Sequence, residues 1–534
     1  MRLNFWRYVF LFAGFLFYLA GCSAQHYQES ADQEVYRILA EKKGPGSAVS
    51  FDIEPKSPPV FTPGEVKEVG LQEVLELAAL HSRDYQTRKE NLYLEALSLT
   101  AQRHLYRPRF DAGLSADWTS ADGTEKISAA GDFSLIQWLA DGAQITLNLG
   151  TDFLRYLTGD PQESLGSLLS LNLFQPLFRG AGRRVARENL TQSERDVVYA
   201  IRSFLHYQRT FSINIATNYY QLLEQKMVLS NEENNYQQLV ANRQRSEMLG
   251  EAGRLPLFQV DQARQDELRA YERMISARKI YQEEVDQFKV SLGLPANAAI
   301  SFSDREAGEL TTRELPVVNM GLDQALEISL KNRLDLMTAR DTLDDAGRKV
   351  TVARDNLRAG LSFAGSAGIA TPDDENTILD FDPDKTDYSA GLQLDLPVDR
   401  LSERNSYRQS LINLERSRRN LSFVQDSVSL GIRTAWRNLE QARQSYENQK
   451  VSLELARRRV ESVNMLLEAG RASQRDLLEA QSASLQARNS LLAATVDYLS
   501  ANLSFLRDAE MLEIGSNGVW TGDWNAQINA ETKN

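Results

Sequence analysis

The sequence predicts a mainly α-helical chain with a smaller β portion, built twice from one unit of long antiparallel coiled-coil helices and strands. Three observations support this fold class. Sequence landmarks recur in the same order in both halves of the chain. Long stretches lack proline and glycine and carry apolar residues seven positions apart, which is typical of coiled coils. Short segments between these stretches alternate apolar and polar residues, which is typical of strands.

The duplication rests on paired landmarks that chance seldom places in the same order. They are Gly70–Glu76 with Gly321–Glu327, Leu171–Arg179 with Leu392–Arg400, and Glu251–Arg254 with Glu468–Arg471. Each repeat opens with a helix, passes through strands and enters a much longer helix. The predicted segments are a signal peptide at 1–21, a lipidated tether at 22–69, repeat 1 at 70–298, a linker at 299–320, repeat 2 at 321–510 and a tail at 511–534.

The helices are predicted to be unusually long. Residues 186–252 contain no proline and only one glycine, Gly250, and at ~1.5 Å per residue they span about 100 Å. A sevenfold apolar spacing in repeat 2 predicts a seam against a neighbouring helix. Gly253 and Gly470 are predicted to end each long helix and let the chain turn back. These features alone fit a coiled-coil spacer equally well.

The strand candidates distinguish a duct from a spacer. Repeat 1 offers four and repeat 2 offers two: 110–118, 127–138, 144–153 and 168–176, then 361–369 and 388–396. Their lengths suit tilted strands of a membrane barrel. So few strands cannot close a barrel within one chain, so a barrel needs several chains. The ordinary alternative is a small soluble sheet.

The N-terminus predicts export and lipidation. Two arginines precede a short apolar run, which is typical of a secretory signal. The sequence Leu19-Ala20-Gly21-Cys22 resembles a bacterial lipobox, whose cysteine becomes the first mature residue and carries a covalent lipid. Ser23 is compatible with delivery to the outer membrane. The alternative is a plain signal peptide with an incidental cysteine.

Composition argues against several other functions. The net charge of −13 disfavours a nucleic-acid partner, because binding phosphates requires a basic face. Four histidines and one cysteine leave little material for a metal site or a nucleophile. The sequence contains no Gly-rich phosphate loop at a strand–helix junction and no nucleophile-elbow or zinc-protease motif. We therefore expect no enzymatic activity and no cofactor besides the covalent lipid.

Taken in order, these features resemble the outer-membrane efflux protein family (TolC/OprM-like), and the lipobox matches its lipoprotein branch. The resemblance covers residues 70–510 and rests on the duplicated order, the Leu-x-Leu-x-x-Pro-x-x-Arg junctions and the glycine-bearing tips. It implies a homotrimer with a β-barrel among outer-membrane lipids and an α-helical barrel in the periplasm. It also implies that the tips meet a periplasmic adaptor protein and, through it, an inner-membrane transporter. The implied function is the gated exit duct of a tripartite efflux pump or a type I secretion system.

One feature departs from this family pattern. The family usually contributes four strands per chain, whereas six candidates are present here. The sequence Leu139-Ala140-Asp141-Gly142 predicts a hairpin turn between the middle pair of repeat 1. Either the barrel has six strands per chain, or the extra hairpin packs elsewhere, or one candidate is a loop.

The resemblance also implies a gate near the tips. In repeat 2 the family's aperture positions fall on Asp476 and Glu479, and the equivalent positions in repeat 1 are Gln259 and Gln262. A spacing of three places both carboxylates on one helix face. Trimer symmetry would then form acidic rings, with the glutamines as hydrogen-bond partners of the closed state. The ordinary alternative is a solvated acidic face.

The tips are the expected adaptor contacts. They comprise Gly253, Arg254 and Leu255 in repeat 1 and Gly470, Arg471 and Ala472 in repeat 2. The alternative interpretation of both glycines is a simple helix stop. At the level of the whole chain, the alternative function is a structural periplasmic coiled-coil lipoprotein, or an adaptor without a pore.

Overall fold

The computed structural model describes residues 24–42, 52–54, 67–158, 163–310, 312, 315, 316, 318, 320–372, 377–515 and 517–521. Cys22, the predicted lipid attachment site, lies outside these residues. The helices are α1 (Ala24–Lys42), α2 (Leu71–His81), α3 (Arg83–Leu105), α4 (Arg183–Ala186), α5 (Glu188–Glu251), α6 (Leu257–Ser291), α7 (Asp304–Glu309), α8 (Leu322–Asn332), α9 (Leu334–Asp355), α10 (Leu401–Glu468) and α11 (Gln474–Asp508). The strands are β1 (Lys67–Val69), β2 (Arg109–Ala121), β3 (Thr124–Trp138), β4 (Gln144–Tyr156), β5 (Glu163–Pro176), β6 (Ile300–Phe302), β7 (Gly360–Ala370) and β8 (Thr386–Asp395).

The chain folds as two compact units, and each unit takes segments from both repeats. Unit 1 comprises Met1–Lys43, Leu92–Ile201 and Thr338–Ser422, and unit 2 comprises Gly44–Asn91, Arg202–Met337 and Phe423–Asn534. Unit 1 contains the large sheet. Unit 2 contains both returning helices, α6 and α11. Within the described part of the chain, no helix is both long and apolar enough to span a membrane.

The returning helices preserve the duplication residue for residue. α6 and α11 each contain 35 residues. Their first residues, Leu257 and Gln474, are as far apart in the sequence as their last residues, Ser291 and Asp508. The opening helices also match. α2 and α8 each contain 11 residues and end at one extended residue, Ser82 or Arg333, each with ψ 125°. A new helix starts immediately afterwards in both repeats, so the repeats share this break as well.

The predicted sevenfold seam forms the core between α10 and α11 in unit 2. Ile432, Leu439 and Leu453 are at most 6% exposed. Leu453 packs with Ala487 and Leu491, while the other two pack with Tyr498, Phe505 and their neighbours. Apolar residues one heptad apart therefore line the contact between two long antiparallel helices, as the spacing predicts.

All six strand candidates form one antiparallel sheet in unit 1, in the order β2-β3-β4-β5-β7-β8. The middle hairpin is a regular part of this sheet, because β4 pairs along its length with both β3 and β5. The predicted turn at Leu139–Gly142 is present, with Gly142 at φ 97°. The backbone N–H of Gly182 donates to the carbonyl of Asp141 at 2.9 Å, which ties this turn to the segment preceding α4. The large sheet therefore has six strands within the described residues, and the extra pair is neither a loop nor a hairpin packed away from this sheet.

The tether begins as an ordered helix. Within the predicted tether, α1 runs from Ala24 to Lys42. Val35, Ile38 and Leu39 of α1 are at most 2% exposed. The Tyr93 hydroxyl of α3 donates to Asp32 at 2.7 Å. An apolar stripe and a polar contact therefore hold α1 against unit 1.

Candidate functional site

Both helical tips use the same backbone turn. Gly253 and Gly470 each have φ 69°, a conformation that costs a residue with a side chain about 1 kcal/mol or more. The N–H of Arg254 donates to the carbonyl of Leu249, and the N–H of Arg471 donates to that of Leu466, both at 2.8 Å. This is the Schellman arrangement that closes a helix with glycine. A Cβ at either glycine would meet nothing within 4 Å, so backbone strain alone requires glycine there.

The tips expose apolar side chains that sequence reasoning missed. In repeat 1, Leu257 and Phe258 are 76% and 67% exposed, and Met248 is 63% exposed. In repeat 2, Met465 and Leu466 are 57% and 44% exposed. Apolar residues at a helix turn, all open to solvent, are typical of a surface that another protein covers. The signal was present in the sequence of repeat 1, where Leu255-Pro256-Leu257-Phe258 follows Gly253 and Arg254.

Asp476 occupies the third position of α11 and caps that helix. Its carboxylate accepts from the backbone N–H and the hydroxyl of Ser473, at 2.8 Å and 2.7 Å. The hydroxyl of Ser473 in turn accepts from the backbone N–H of Asp476 at 3.3 Å. These contacts form a capping box. The hydrogen bonds from Ser473 lower the pKa of the Asp476 carboxyl, so it stays ionised at the positive end of the helix dipole.

Glu479 is exposed and ion-paired. Nη2 of Arg459 on α10 donates to its Oε1 at 2.8 Å. Arg471 and Arg475 lie closer to Glu479 in the sequence than Arg459 does. Arg459 precedes Glu479 by 20 positions, so only the antiparallel packing of α10 and α11 brings the two together.

Gln259 and Gln262 occupy the matching positions of α6. Gln259 is the third residue of its helix, as Asp476 is of α11. Gln259 is half-buried and Gln262 is exposed. Pro256 immediately precedes α6 and makes no side-chain hydrogen bond that caps the helix. The two repeats therefore start their returning helices by different means, a proline in one and a capping box in the other.

The seam between α5 and α11 in unit 2 is polar, unlike the apolar seam between α10 and α11. Asn231 of α5 is 5% exposed and donates to the side-chain oxygen of Asn489 on α11 at 2.7 Å. Farther toward the tip, Gln474 hydrogen-bonds Asn242. Buried nitrogen atoms of Asn235, Asn242 and Arg488 have no hydrogen-bond partner. Such partly satisfied polar contacts stabilise an interface less than apolar packing does.

An acidic group lies in this same region. Glu224 of α5 has its pKa raised to about 7, first by burial and then by the negative charges of Asp497 on α11 and Glu284 on α6. An ionised Glu224 is therefore unfavourable between these helices. In the described part of the chain, no three His, Cys, Asp or Glu side chains are placed so as to hold a metal ion.

The sheet of unit 1 has one apolar and one polar face. Because paired residues in an antiparallel sheet point to the same side, the strand registers assign every side chain to a face. Leu149 of β4, for example, pairs with Phe133 of β3 and Leu169 of β5. The apolar face comprises Phe110, Leu114, Trp118, Ile127, Phe133, Leu135, Ile145, Leu147, Leu149, Phe153, Leu165, Leu169, Leu171, Leu173, Leu361, Phe363, Ile369, Tyr388, Leu392 and Leu394.

The polar face carries mostly charged and hydrogen-bonding residues. The charged and hydrogen-bonding residues of this face include Arg109, Asp111, Ser115, Asp117, Lys126, Ser128, Asp132, Ser134, Gln144, Thr146, Asn148, Asp152, Ser170, Asn172, Ser362, Ser366, Asp387, Ser389, Gln393 and Asp395. The same face also carries the larger apolar or aromatic residues Ile136, Trp138, Leu154, Tyr156, Leu168 and Phe174. The apolar face carries polar residues near the strand ends, namely Ser120, Glu125, Gln137, Arg155, Glu163, Gln175 and Thr386. Farther from the ends, Thr151 and Ser167 satisfy each other, since their hydroxyls lie 3.0 Å apart. Each strand thus alternates between two environments along its length.

Comparison with known protein families gives a match within repeat 2. Residues 325–507 match the family described as Outer membrane efflux protein. Repeat 2 is therefore similar to the outer membrane efflux protein family. The predicted family resemblance is therefore confirmed. A comparison with curated protein sequences gave no match.

Solved structures show that the efflux-protein fold extends over most of the chain. The chain is similar to the CmeC outer membrane channel of Campylobacter jejuni, with 16% identity and a TM-score of 0.61, over 87% of this chain and 89% of that one. For VceC, an outer membrane protein of Vibrio cholerae, the values are 13%, 0.59, 82% and 95%. For the open state of the MtrE outer membrane channel of Neisseria gonorrhoeae, they are 12%, 0.57, 88% and 96%. The predicted fold class, long helices joined to a β-sheet portion in a duplicated unit, is confirmed.

Proposed function

We propose that this chain is the outer-membrane exit duct of a tripartite efflux pump or a type I secretion system, and that it works as a homotrimer. In this role it passes solutes passively and is joined to an inner-membrane transporter by a periplasmic adaptor protein. The observation that carries the proposal is the sheet of six strands with one apolar and one polar face, within an efflux-protein fold. No chemical step is required of the chain, so the proposed role is transport without catalysis.

The apolar face supports insertion into lipid. Phe110, Leu114 and Trp118 of β2 are 64–68% exposed in a single chain, and covering each such side chain contributes about 1.5–3 kcal/mol. A lipid bilayer would cover the whole face at once. The polar face would then line an aqueous lumen, which is the arrangement of outer-membrane barrels. Strands of 10 to 15 residues are long enough to cross the outer membrane when tilted.

The gate is proposed to lie at the start of the returning helices, where Asp476, Glu479, Gln259 and Gln262 would face the lumen. The polar seam between α5 and α11 supports movement there, because its contacts are only partly satisfied. The pair of Glu479 with Arg459 is an exposed contact worth about 1 kcal/mol or less. Docking of an adaptor could therefore break it at little cost.

The exposed apolar residues support the tips as adaptor contacts. Leu257 and Phe258 adjoin the predicted contacts Gly253, Arg254 and Leu255, while Met465 and Leu466 adjoin Gly470, Arg471 and Ala472. Apolar side chains beside an arginine are common at the centres of protein interfaces. We therefore propose that the adaptor covers both tips of each chain.

Lipid at Cys22 is proposed as a second anchor in the outer membrane. The packed helix α1 begins at Ala24, two positions after this cysteine, and belongs to the same unit as the sheet. A lipid chain alone gives only reversible membrane binding. The barrel and the lipid would therefore both anchor unit 1 in the membrane. Labelled palmitate should enter the wild type and should be absent from Cys22→Ser, and unchanged labelling of Cys22→Ser would reject the site.

Single-channel recording of the full-length protein tests the function. Trimers purified from outer membranes, with mobility on gels that changes on heating, should give discrete currents in planar bilayers. Asp476→Ala combined with Glu479→Ala should raise conductance several-fold by removing the acidic rings. Glu454→Ala is the matched control. Like Glu479, Glu454 forms an exposed 2.8 Å ion pair with an arginine, but both Glu454 and its partner Arg458 lie on α10.

The outcomes separate the duct from its alternatives. Currents that the double variant does not increase would reject the gate but keep the duct. A protein that forms no heat-sensitive trimer and carries no current would reject the duct. A periplasmic spacer or an adaptor without a pore would then be the better description.

A further inference from the structure

The sheet of unit 1 ends in two strands that each have a neighbour on one side only. β2 and β8 occupy the first and last places in the strand order. β8 is exposed at nine of its ten residues, and β2 at eleven of thirteen. Neither strand contains proline. Long edges of this kind present unpaired backbone donors and acceptors, and proteins usually protect them or pair them with another chain.

The two edges are compatible with each other. Every neighbouring pair in the sheet is antiparallel, so with six strands β2 and β8 run in opposite directions. Consider a second copy that is related to the first by rotation about an axis roughly parallel to the strands. Its β2 then meets β8 of the first copy in antiparallel orientation. The same rotation keeps both apolar faces outward, with Phe110 and Leu114 of β2 beside Tyr388 and Leu392 of β8.

We propose that β8 of each copy pairs with β2 of the next copy, and that three copies close a barrel of 18 strands. The occupant of each edge is thus a second copy of this chain. The inference rests on the proposed trimeric duct and deepens it. The hairpin β3–β4 is what enlarges the barrel, because without it the same closure would use four strands per chain and 12 in all.

The enlarged barrel has a functional consequence. Barrel diameter grows roughly in proportion to strand number, and barrels of 16–18 strands leave an open aqueous channel. The barrel of this trimer would therefore be about 1.5 times as wide as a barrel of 12 strands. Passage of solutes would be limited at the helical tips and not in the membrane.

Disulfide trapping in outer membranes tests the edge pairing. Ser115→Cys on the polar face of β2 would be combined, one at a time, with Ser389→Cys, Gly391→Cys or Gln393→Cys on the polar face of β8. Within one chain these strands are five spacings apart, about 24 Å along the sheet. A disulfide needs Cα atoms within about 7 Å, so bonds should form only between copies. We expect covalent species of two and three chains on non-reducing gels for at least one pairing.

The matched control is Ser366→Cys combined with Ser389→Cys. These residues are opposite each other on β7 and β8, with their hydroxyl oxygens 2.6 Å apart. Their disulfide should form inside one chain, so non-reducing gels should show no covalent species of two or three chains. It shows that the sheet is folded and that the oxidant reaches it.

The possible outcomes discriminate between the two proposals. If the control bond forms in membrane-inserted trimers and none of the β2–β8 combinations links chains, the edge pairing is wrong and the duct stands. Covalent species that stop at two chains would reject closure by three copies. Absence of both trimers and currents would reject the duct and the barrel together.

Removal of the extra hairpin gives an independent measure. Deleting residues 124–156 removes β3 and β4 and leaves four strands per chain. Images of the trimers in nanodiscs, viewed along the barrel axis, should show a wild-type barrel about 1.5 times as wide as that of the deletion variant. Equal diameters in two assembled trimers would contradict the role of the hairpin.

Discussion

At the tip of repeat 2, Asp476 serves the start of α11. Its carboxylate accepts two hydrogen bonds from Ser473, and these contacts are complete within one chain. The same charge can also contribute to a ring in a trimer, because the cap leaves the side chain exposed. A change at Asp476 therefore alters the helix start as well as the aperture. Separate measurements of stability and conductance are required to distinguish the two effects.

Ser473→Ala isolates the cap from the gate. Losing a serine cap costs about 1 kcal/mol, so we expect amide exchange in the first turn of α11 to become about fivefold faster. Conductance should change less than in the Asp476 and Glu479 double variant, because both carboxylates remain. Hydrogen–deuterium exchange over residues 474–477 is the measurement. Glu479→Gln is the control, since it loses only an exposed ion pair, and an equal acceleration there would contradict the cap.

A second residue-scale difference lies at the ends of the returning helices. After α6 the chain turns at Gly293, with φ 78°, whereas after α11 it turns at Glu510, with φ 59°. Glutamate is strained in this conformation. Its side chain is only 4% exposed and is ion-paired with Arg209. The side-chain pair offsets a backbone strain that glycine avoids in the other repeat.

At the scale of the elements, the two seams of α11 differ in chemistry. Its contact with α10 is apolar, through residues such as Leu453 and Leu491. Its contact with α5 is polar, through residues such as Asn231 and Asn489. Apolar packing holds α10 and α11 as one hairpin. The polar contact with α5 is the easier one to separate, so the hairpin would move as a body when the proposed gate opens.

Glu224 should make the polar seam sensitive to pH. Its folded-state pKa of about 7 exceeds the ordinary value of 4.5, so the folded protein holds this proton more tightly than the unfolded chain. The free energy of unfolding should therefore fall as pH rises from about 4.5 to 7. Glu224→Gln mimics the protonated form. It should stabilise the protein at pH 8 by about 1 kcal/mol, a value that allows for partial solvent screening, and have little effect near pH 4.5.

Denaturant unfolding at both pH values, followed by helical circular dichroism, measures this effect. Glu233→Gln on the same helix is the control, because Glu233 is exposed and pairs with Arg278. It should change stability little at either pH. A Glu224→Gln protein that gains no stability at pH 8 relative to the control would contradict an unfavourable charge in the seam.

Sequence periodicity predicted most of the elements because local patterns encode them. Sevenfold apolar spacing predicted the seam of α10 and α11, and glycine predicted the tips. Other features depend on contacts distant in sequence. The break at Ser82 and Arg333 carries neither proline nor glycine, and the Arg459 partner of Glu479 is set by tertiary packing. The Ser-x-x-Asp capping signal at Ser473 was visible in the sequence, but the resemblance drew attention to Asp476 as a gate instead.

At the scale of the whole molecule, the sheet explains why a single chain is incomplete. Its apolar face is exposed and its two outer strands are unpaired, so one chain leaves both a nonpolar surface and backbone polar groups unsatisfied. In the proposed trimer, a bilayer would satisfy the first requirement and neighbouring copies would satisfy the second. Membrane insertion and oligomerisation are therefore expected to be coupled, and a variant that fails in one should fail in the other.

Adjacent residues in the middle of β4 test which face contacts lipid. Leu149 lies on the apolar face, between Phe133 and Leu169, and Asn148 lies on the polar face, between Ser134 and Ser170. An arginine facing lipid near the bilayer centre costs about 2–4 kcal/mol, whereas a lumen position tolerates it. Leu149→Arg in all three copies should therefore remove heat-sensitive trimers from outer-membrane fractions. Asn148→Arg should assemble normally and shift ion selectivity toward anions, and the reverse result would mean that the faces are assigned the wrong way round.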